Sequence, residues 1–145
     1  MIKAKEFWNY VCNELNYRFF AGIPSMYFDF LYDTMSSDIM HYIPAVNEET
    51  AIAMVIGVEF TGFKGVVIAN NNLFYFLNII KFLNDYDLSL LCMAPYYEDT
   101  ELFLKNNKIK YKVLNDLKKD ISYIDRIHNK NKGLCVLLIK KEVFE

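Results

Sequence analysis

Short apolar runs alternate along this chain with longer segments in which apolar positions recur at a helical period. Apolar runs of about four to eight residues between Gly, Pro or Asn are typical of buried strands, and a recurrence every three or four residues is typical of helices that face a core. This pattern predicts six strands. They span residues 18–22, 39–43, 65–69, 88–93, 110–113 and 134–139.

Helical patterns fill the intervals before and between these strands. The predicted helices span residues 5–15, 27–34, 48–60, 73–83, 98–106 and 116–129. Strands that alternate with helices indicate crossover connections, which build a parallel sheet with helices on both faces. The chain of 145 residues suits one domain. We therefore predict a single α/β domain over residues 1–145, with three α/β/α layers and a six-stranded, mainly parallel sheet.

The predicted helix 48–60 is apolar on nearly every side. A helix of this kind has to be covered all round, and the sheet covers only one of its faces. The whole chain is 54% hydrophobic and 17% aromatic, which is rich for a lone domain of this size. These features predict a homo- or hetero-oligomer in which a second chain covers this helix.

Charge and composition exclude several classes of function. The formal net charge is -2 and no basic stripe is present, so nucleic acid is not an expected partner. Cys12, Cys92 and Cys135 lie far apart in apolar stretches without metal-ligand spacing, which predicts buried free thiols and no metal site. The chain shows no signal-peptide pattern and no apolar run of membrane-spanning length, so we expect a cytoplasmic protein without a membrane partner.

Turn-forming residues follow several of the predicted strands. Pro24, Pro44, Pro95 and the asparagines at 70–72 each come at the end of a strand. The carboxyl ends of parallel strands meet at one edge of the sheet, where α/β proteins bind ligands. Prolines also simply end strands, which alone explains each of them. Neither a Gly-x-Gly-x-x-Gly nor a P-loop motif is present, so the usual nucleotide sites are not predicted.

Glu48 and Glu49 open the apolar helix directly after Asn47. Asn47 is a suitable N-cap, and acidic residues in a first helical turn are favoured by the helix dipole, so a purely structural role explains both glutamates. His41 falls in a strand and is expected in the core or at the sheet edge. His128 falls in a polar stretch and is expected in solvent.

The order of these features resembles the phosphonopyruvate and sulfopyruvate decarboxylases, a family of thiamine diphosphate enzymes. The family's first strand ends in Gly-Val-Pro-Asp, and this chain has Gly-Ile-Pro-Ser at residues 22–25. An Asn-Glu segment then opens an Ala-rich helix, as at residues 47–57, followed by a Thr-Gly and a strand, as at residues 61–69. The resemblance covers roughly residues 5–140 and is most specific at Asn47 and Glu48.

The resemblance implies a pyrimidine-binding domain, equivalent to the alpha subunit of sulfopyruvate decarboxylase. It implies that Glu48 is catalytic and activates the aminopyrimidine of thiamine diphosphate. Asn47 and Glu48 would bind the cofactor together with Asn70, Asn71 and Asn72. Pro24 and Ser25 would line the side of a small 2-oxo acid substrate.

The family's other half-site is absent from this sequence. Its diphosphate and Mg²⁺ are held by a domain carrying Gly-Asp-Gly, a motif that does not occur here. The resemblance thus implies a split carboxy-lyase, active only with a second subunit that holds the diphosphate and Mg²⁺.

Two departures from the family pattern keep other functions open. The family's glycine-rich loop after the third strand is replaced by residues 71–75, which include bulky Phe74 and Tyr75, and Ser25 replaces an acidic residue. A diverged non-catalytic interaction or regulatory subunit fits these departures, whereas the retained Asn47 and Glu48 oppose it. A subunit of a thiamine diphosphate carboligase is a third alternative.

Overall fold

The computed structural model describes residues 1–70, 72–130 and 133–145. Its strands form one six-stranded sheet in the order β2-β1-β3-β4-β6-β5, in which every neighbouring pair is parallel. The strands are β1 Tyr17–Gly22, β2 His41–Pro44, β3 Lys64–Ile68, β4 Ser89–Pro95, β5 Lys110–Val113 and β6 Gly133–Ile139. All six predicted strands are confirmed, and Pro44 and Pro95 are the last residues of their strands rather than the residues that follow them.

Helical segments precede, connect and follow the strands. They are α1 Ala4–Trp8 with a π-helical continuation Asn9–Glu14, α2 Asp29–Tyr32 after a 3₁₀ turn Met26–Phe28, α3 Glu48–Phe60, α4 Phe74–Leu77, α5 Ile80–Asp85, α6 Glu98–Asn106, α7 Leu117–Lys130 and a 3₁₀ turn Lys141–Val143. The single helix predicted over 73–83 is in fact two, because the chain tightens between α4 and α5, where the Ile79 N–H donates to the Phe76 carbonyl, three residues back.

The helices form one layer on each face of the sheet. α1, α2 and α7 pack on one face against strand residues such as Phe20 and Val66. α3, α4, α5 and α6 pack on the other face against residues such as Ala21 and Val67. Successive strand residues point to opposite faces, so each strand contributes to both cores. The predicted three-layer α/β/α fold class is confirmed.

Trp8 anchors the layer that contains α1. Its side chain is 1% exposed and packs edge-to-face against Phe7 and Phe20, with ring centroids 5.0 and 5.2 Å away. Its indole Nε1 donates a 2.9 Å hydrogen bond to the Leu31 carbonyl. The tryptophan therefore ties α1 and α2 to the sheet without leaving its polar atom unpaired.

The direction of the connections changes between β1 and β3. The chain leaves β1 towards β2 on one side, whereas it leaves β3 towards β4 on the other. Ligands in open α/β sheets bind in the crevice above such a switch point. Gly22 and Ile68 pair at this boundary, and a Cβ on Gly22 would overlap the Ile68 carbonyl oxygen. Glycine is required there for the two backbones to approach.

Two further predictions concern the cysteines and the membrane. Cys12, Cys92 and Cys135 are buried and form no disulfide, as predicted. Within residues 1–70, 72–130 and 133–145, no helix combines the length and the apolar character needed to cross a bilayer.

Candidate functional site

Three loops meet at the carboxyl edge beside the switch point. The loop after β2 is tied to the end of β1, because the Ala45 N–H donates to the Gly22 carbonyl over 2.8 Å. The Ala69 N–H after β3 donates to the Met93 carbonyl of β4, also over 2.8 Å. The parallel sheet therefore brings most predicted site residues to one edge. These are Pro24, Ser25, Asn47, Glu48, Asn70 and Asn72; Asn71 lies outside the described residues.

Asn47 starts α3 and sets the direction of its first turn. Its backbone is extended, and its Oδ1 accepts the Thr50 N–H over 2.8 Å, which confirms the predicted N-cap. Glu48 then points inward, with only 6% of its surface exposed, whereas Glu49 is exposed. The first turn of α3 therefore buries Glu48 and leaves Glu49 in solvent.

The Glu48 carboxyl is buried with part of its hydrogen-bonding capacity unused. Its Oε2 atom has no hydrogen-bond partner among the described residues. Burial raises the pKa of this carboxyl above its ordinary value, and a backbone hydrogen bond from Asn70 lowers it only in part. Burial and, secondly, the charge of Glu48 raise the pKa of the nearby Cys92 thiol. Glu48 is thus a buried acid that retains its proton more readily than an exposed glutamate and has one oxygen without a hydrogen-bond partner among the described residues.

The other predicted residues shape the loops around Glu48. Asn70 is half-buried, and Asn72 accepts the Phe74 N–H at its Oδ1 over 3.1 Å, which starts α4. Ser25 accepts the Tyr27 N–H at its Oγ over 3.2 Å, and Pro24 is exposed. Within the described ranges, no three His, Cys, Asp or Glu side chains come together in a way suited to a metal ion.

A cavity of about 410 Å³ lies on the same sheet edge, between the loop after β3 and the start of α6. Its walls are largely aromatic, and the rings of Phe74 and Phe103 meet edge-to-face with centroids 5.1 Å apart. The lining residues are Asn72, Leu73, Phe74, Tyr97, Asp99, Thr100 and Phe103. Of these residues the sequence pointed to Asn72 and Phe74. Tyr97 lies two residues after β4 and Phe103 one helical turn beyond Thr100, and no motif connects them with the loop after β3.

An apolar groove runs along the outer side of α3. It encloses about 430 Å³ and is lined by Glu49, Ile52, Ala53, Ile56, Tyr75, Asn78, Ile79 and Phe82. Beside it, exposed Phe60 contacts Phe82 and Tyr86, with ring centroids 6.3 and 6.1 Å away. α3 buries Ala51 and Val55 against the sheet while its outer side remains apolar and uncovered by the described residues. We call this surface the α3 groove.

His128 is not in solvent, so that prediction is wrong. It is 4% exposed, and its Nε2 lies 2.9 Å from Glu59 Oε1. It belongs to the buried face of α7, which also contains Ile121, Ile124 and Ile127. The three- and four-residue spacing of these positions carries the histidine into the core although its sequence neighbours are polar. His41 is exposed on the edge strand β2.

Comparison with known proteins establishes the fold and nothing finer. No protein-family model matches the chain, and no curated protein matches it significantly. Among solved structures, the chain is similar to the 2-oxoglutarate:ferredoxin oxidoreductase from Magnetococcus marinus, determined with 2-oxoglutarate, coenzyme A and succinyl-CoA bound. The TM-score is 0.64 at 14% sequence identity, over 94% of this chain and 28% of that one. The chain therefore has the fold of a domain that spans about a quarter of a 2-oxo acid oxidoreductase.

Proposed function

We propose that this chain is the small subunit of a split thiamine diphosphate-dependent 2-oxo acid decarboxylase, of the kind that includes the phosphonopyruvate and sulfopyruvate enzymes. The observation that carries the proposal is the buried Glu48 carboxyl, whose Oε2 has no partner among the described residues. The family resemblance at Asn47 and Glu48 supports it. So does the likeness in fold to an enzyme named for its action on 2-oxoglutarate.

Glu48 would place its free Oε2 against a ring nitrogen of the cofactor's aminopyrimidine. Because its pKa is raised, the carboxyl binds a proton more readily than an exposed glutamate does, which suits it to share a proton with that nitrogen. The residues around it suit this role, because the Asn47 cap fixes the helix start and the Asn70 backbone contacts the carboxyl. When bound, thiamine diphosphate supplies the electron sink for loss of CO₂.

The remaining predicted residues receive supporting roles in this proposal. Asn70 and Asn72 would contact the cofactor from the loop after β3, and the family resemblance assigns the same role to Asn71. Pro24 and Ser25 face the substrate from the loop after β1, across the switch point. Each position fits its role because ligands in this fold class lie above the carboxyl ends of these strands.

A second subunit would hold the diphosphate and Mg²⁺, and we assign the α3 groove to it. An exposed apolar surface rich in aromatic side chains is typical of a protein interface. The groove begins at Glu49, next to Glu48 in sequence. A partner seated there would also exclude water from the glutamate, which strengthens its electrostatic interaction with a cofactor.

A non-catalytic interaction subunit is the second candidate. The α3 groove favours it, because a docking surface requires a partner and no chemistry. On that hypothesis Glu48 only fastens the loop after β3 through the Asn70 backbone. A carboligase subunit would use Glu48 in the same way as a decarboxylase and would differ in the acceptor that follows CO₂ loss.

The test compares Glu48→Gln with Glu49→Gln in the complex assembled with the partner recovered from source cells. We expect proton–deuterium exchange at the thiazolium carbon to fall by roughly 10²- to 10⁴-fold in Glu48→Gln, because the change removes the shared proton but keeps the shape. Glu49 opens the same helix but is exposed, so Glu49→Gln should exchange like the wild type.

Equal exchange in the wild type and Glu48→Gln would leave the interaction subunit as the better explanation. Comparable losses in both variants would indicate a general effect of charge at the helix start rather than a role for Glu48.

A further inference from the structure

We propose that the cavity between the loop after β3 and α6 accepts the aromatic side chain of the 2-oxo acid substrate. This inference rests on the proposed function and specifies its substrate class. The carboxyl and 2-oxo groups would remain near Glu48, and the ring would enter the cavity.

The chemistry of the cavity walls matches an aromatic ring. Leu73 is buried at its base, while Phe74, Tyr97 and Phe103 supply three aromatic walls. Aromatic rings gain from edge-to-face and offset contacts beyond the area that they bury. The volume of about 410 Å³ lies within the range of roughly 300–1,000 Å³ that is typical of small-molecule sites.

The charge of the cavity opposes a phosphonate or sulfonate. Asp99 is the charged residue in the lining, and the lining residues include no Lys, Arg or His. Anionic groups of this type are held by cations and by charge-assisted hydrogen bonds. A negatively charged, aromatic cavity therefore selects against the anionic side chains of phosphonopyruvate and sulfopyruvate.

The position of the cavity connects it to Glu48. Asn70 contacts the glutamate through its backbone, and Asn72 lines the cavity two residues later. The strands below, β3 and β4, are hydrogen-bonded neighbours. The cavity therefore lies on the same sheet edge as the start of α3, where Glu48 is found.

Phe74 acquires a role in this proposal. It departs from the small residues of the family's loop, and it is 65% exposed, so it adds little to the core. Packing edge-to-face on Phe103, it closes one side of the cavity. Its bulk therefore shapes the site instead of obstructing it.

Binding to the full chain tests this without cofactor or partner. The probes are 3-phenylpropionate and 3-sulfopropionate, which share a carboxylate and differ in the group that would enter the cavity. We expect 3-phenylpropionate to shift the backbone amide resonances of Phe74 and Thr100 in nuclear magnetic resonance titrations, and 3-sulfopropionate to leave them unchanged.

Phe74→Ala should weaken the binding of 3-phenylpropionate by roughly three- to tenfold, which corresponds to one aromatic contact. Phe63→Ala is the control, because Phe63 is also exposed but does not line the cavity. Asp99→Lys should add binding of 3-sulfopropionate, since it places a cation in the wall.

Tighter binding of 3-sulfopropionate to the wild type, or shifts confined to the α3 groove, would overturn the assignment. The same holds if Phe74→Ala and Phe63→Ala bind 3-phenylpropionate equally. These outcomes are independent of the exchange test on Glu48, so the cavity assignment can fail while the proposed function stands, and the reverse.

Discussion

Glu48 and Asp120 are two buried carboxyls near the starts of helices in opposite layers, and their surroundings differ. Asp120 is 3% exposed and Glu48 6%. Asp120 Oδ2 accepts the N–H groups of Asn115 and Asp116, both over 2.8 Å, and its Oδ1 lies 3.5 Å from Lys112 Nζ. Around Glu48, by contrast, the Asn70 backbone lowers the carboxyl pKa only in part, and Oε2 has no partner among the described residues.

The pKa values of the two carboxyls move in opposite directions. Burial raises the pKa of Asp120, but the Asp116 and Asn115 N–H groups and then the Lys112 ammonium outweigh it, so the net pKa is lowered. Burial dominates at Glu48, and its pKa is raised. At similar side-chain exposure, the pKa is lowered where hydrogen bonds and a cation surround the carboxyl and raised where they do not. A buried acid with an unpaired oxygen, at the sheet edge where this class of fold binds ligands, is a candidate catalytic residue.

The largest effect is expected for Asp120→Ala. The change leaves two backbone N–H groups and Lys112 without their acceptor, which should lower the free energy of unfolding by about 1–3 kcal/mol. Urea denaturation measures this. Lys119→Ala, an exposed neighbour, should stay within about 0.5 kcal/mol of the wild type. If Asp120→Ala lowers the free energy of unfolding no more than Lys119→Ala does, these hydrogen bonds do not distinguish Asp120 from Glu48.

An intermediate effect is expected for Asn47→Ala, which removes the cap that orients Glu48. The loss of the hydrogen bond to the Thr50 N–H should lower the free energy of unfolding by about 1 kcal/mol. The same denaturation measurement applies. Asn47→Asp retains a capping oxygen and should recover most of the loss; if it does not, the amide of Asn47 has a role beyond the cap.

The smallest effect, and one of opposite sign, is expected for Glu48→Gln. Because the folded pKa is raised, the folded state binds more protons than the unfolded one, and wild-type stability falls as pH rises from about 4.3 through the folded pKa. Glu48→Gln lacks this loss and should therefore be slightly more stable than the wild type at pH 7. The difference should shrink as the pH approaches 4.

Asp120→Asn provides the reverse pH profile. The lowered pKa of Asp120 stabilises the fold above the unfolded value of about 3.9, and this contribution is lost as pH falls through the folded pKa. Unfolding curves between pH 3 and 8, in steps of about one unit, measure both profiles. Parallel curves for Glu48→Gln and Asp120→Asn would contradict the comparison.

Local patterns in the sequence were sufficient to predict the sheet but not the burial of the site residues or the cavity beside them. The six strands and the Asn47 cap depend on neighbouring residues, so periodicity and turn chemistry predict them. The inward direction of Glu48 was not predicted, because α3 is apolar on nearly every side and its sequence marks no single inner face. The aromatic cavity depends on contacts between the loop after β3 and α6, segments distant in sequence, which no local pattern contains. The break between α4 and α5 is a local change of hydrogen bonding that the continuous helical pattern of residues 73–83 did not indicate.

The close contact between Gly22 and the Ile68 carbonyl supplies a sequence marker for homologous chains that share this fold. Only hydrogen fits there, so any chain that inherits this architecture should keep a glycine whatever it does. Nothing in the architecture demands an acid at position 48 in the same way. A chain that retains the glycine but has exchanged the glutamate would keep the scaffold without the chemistry proposed for Glu48, and the two positions together would separate inheritance of the fold from inheritance of that chemistry.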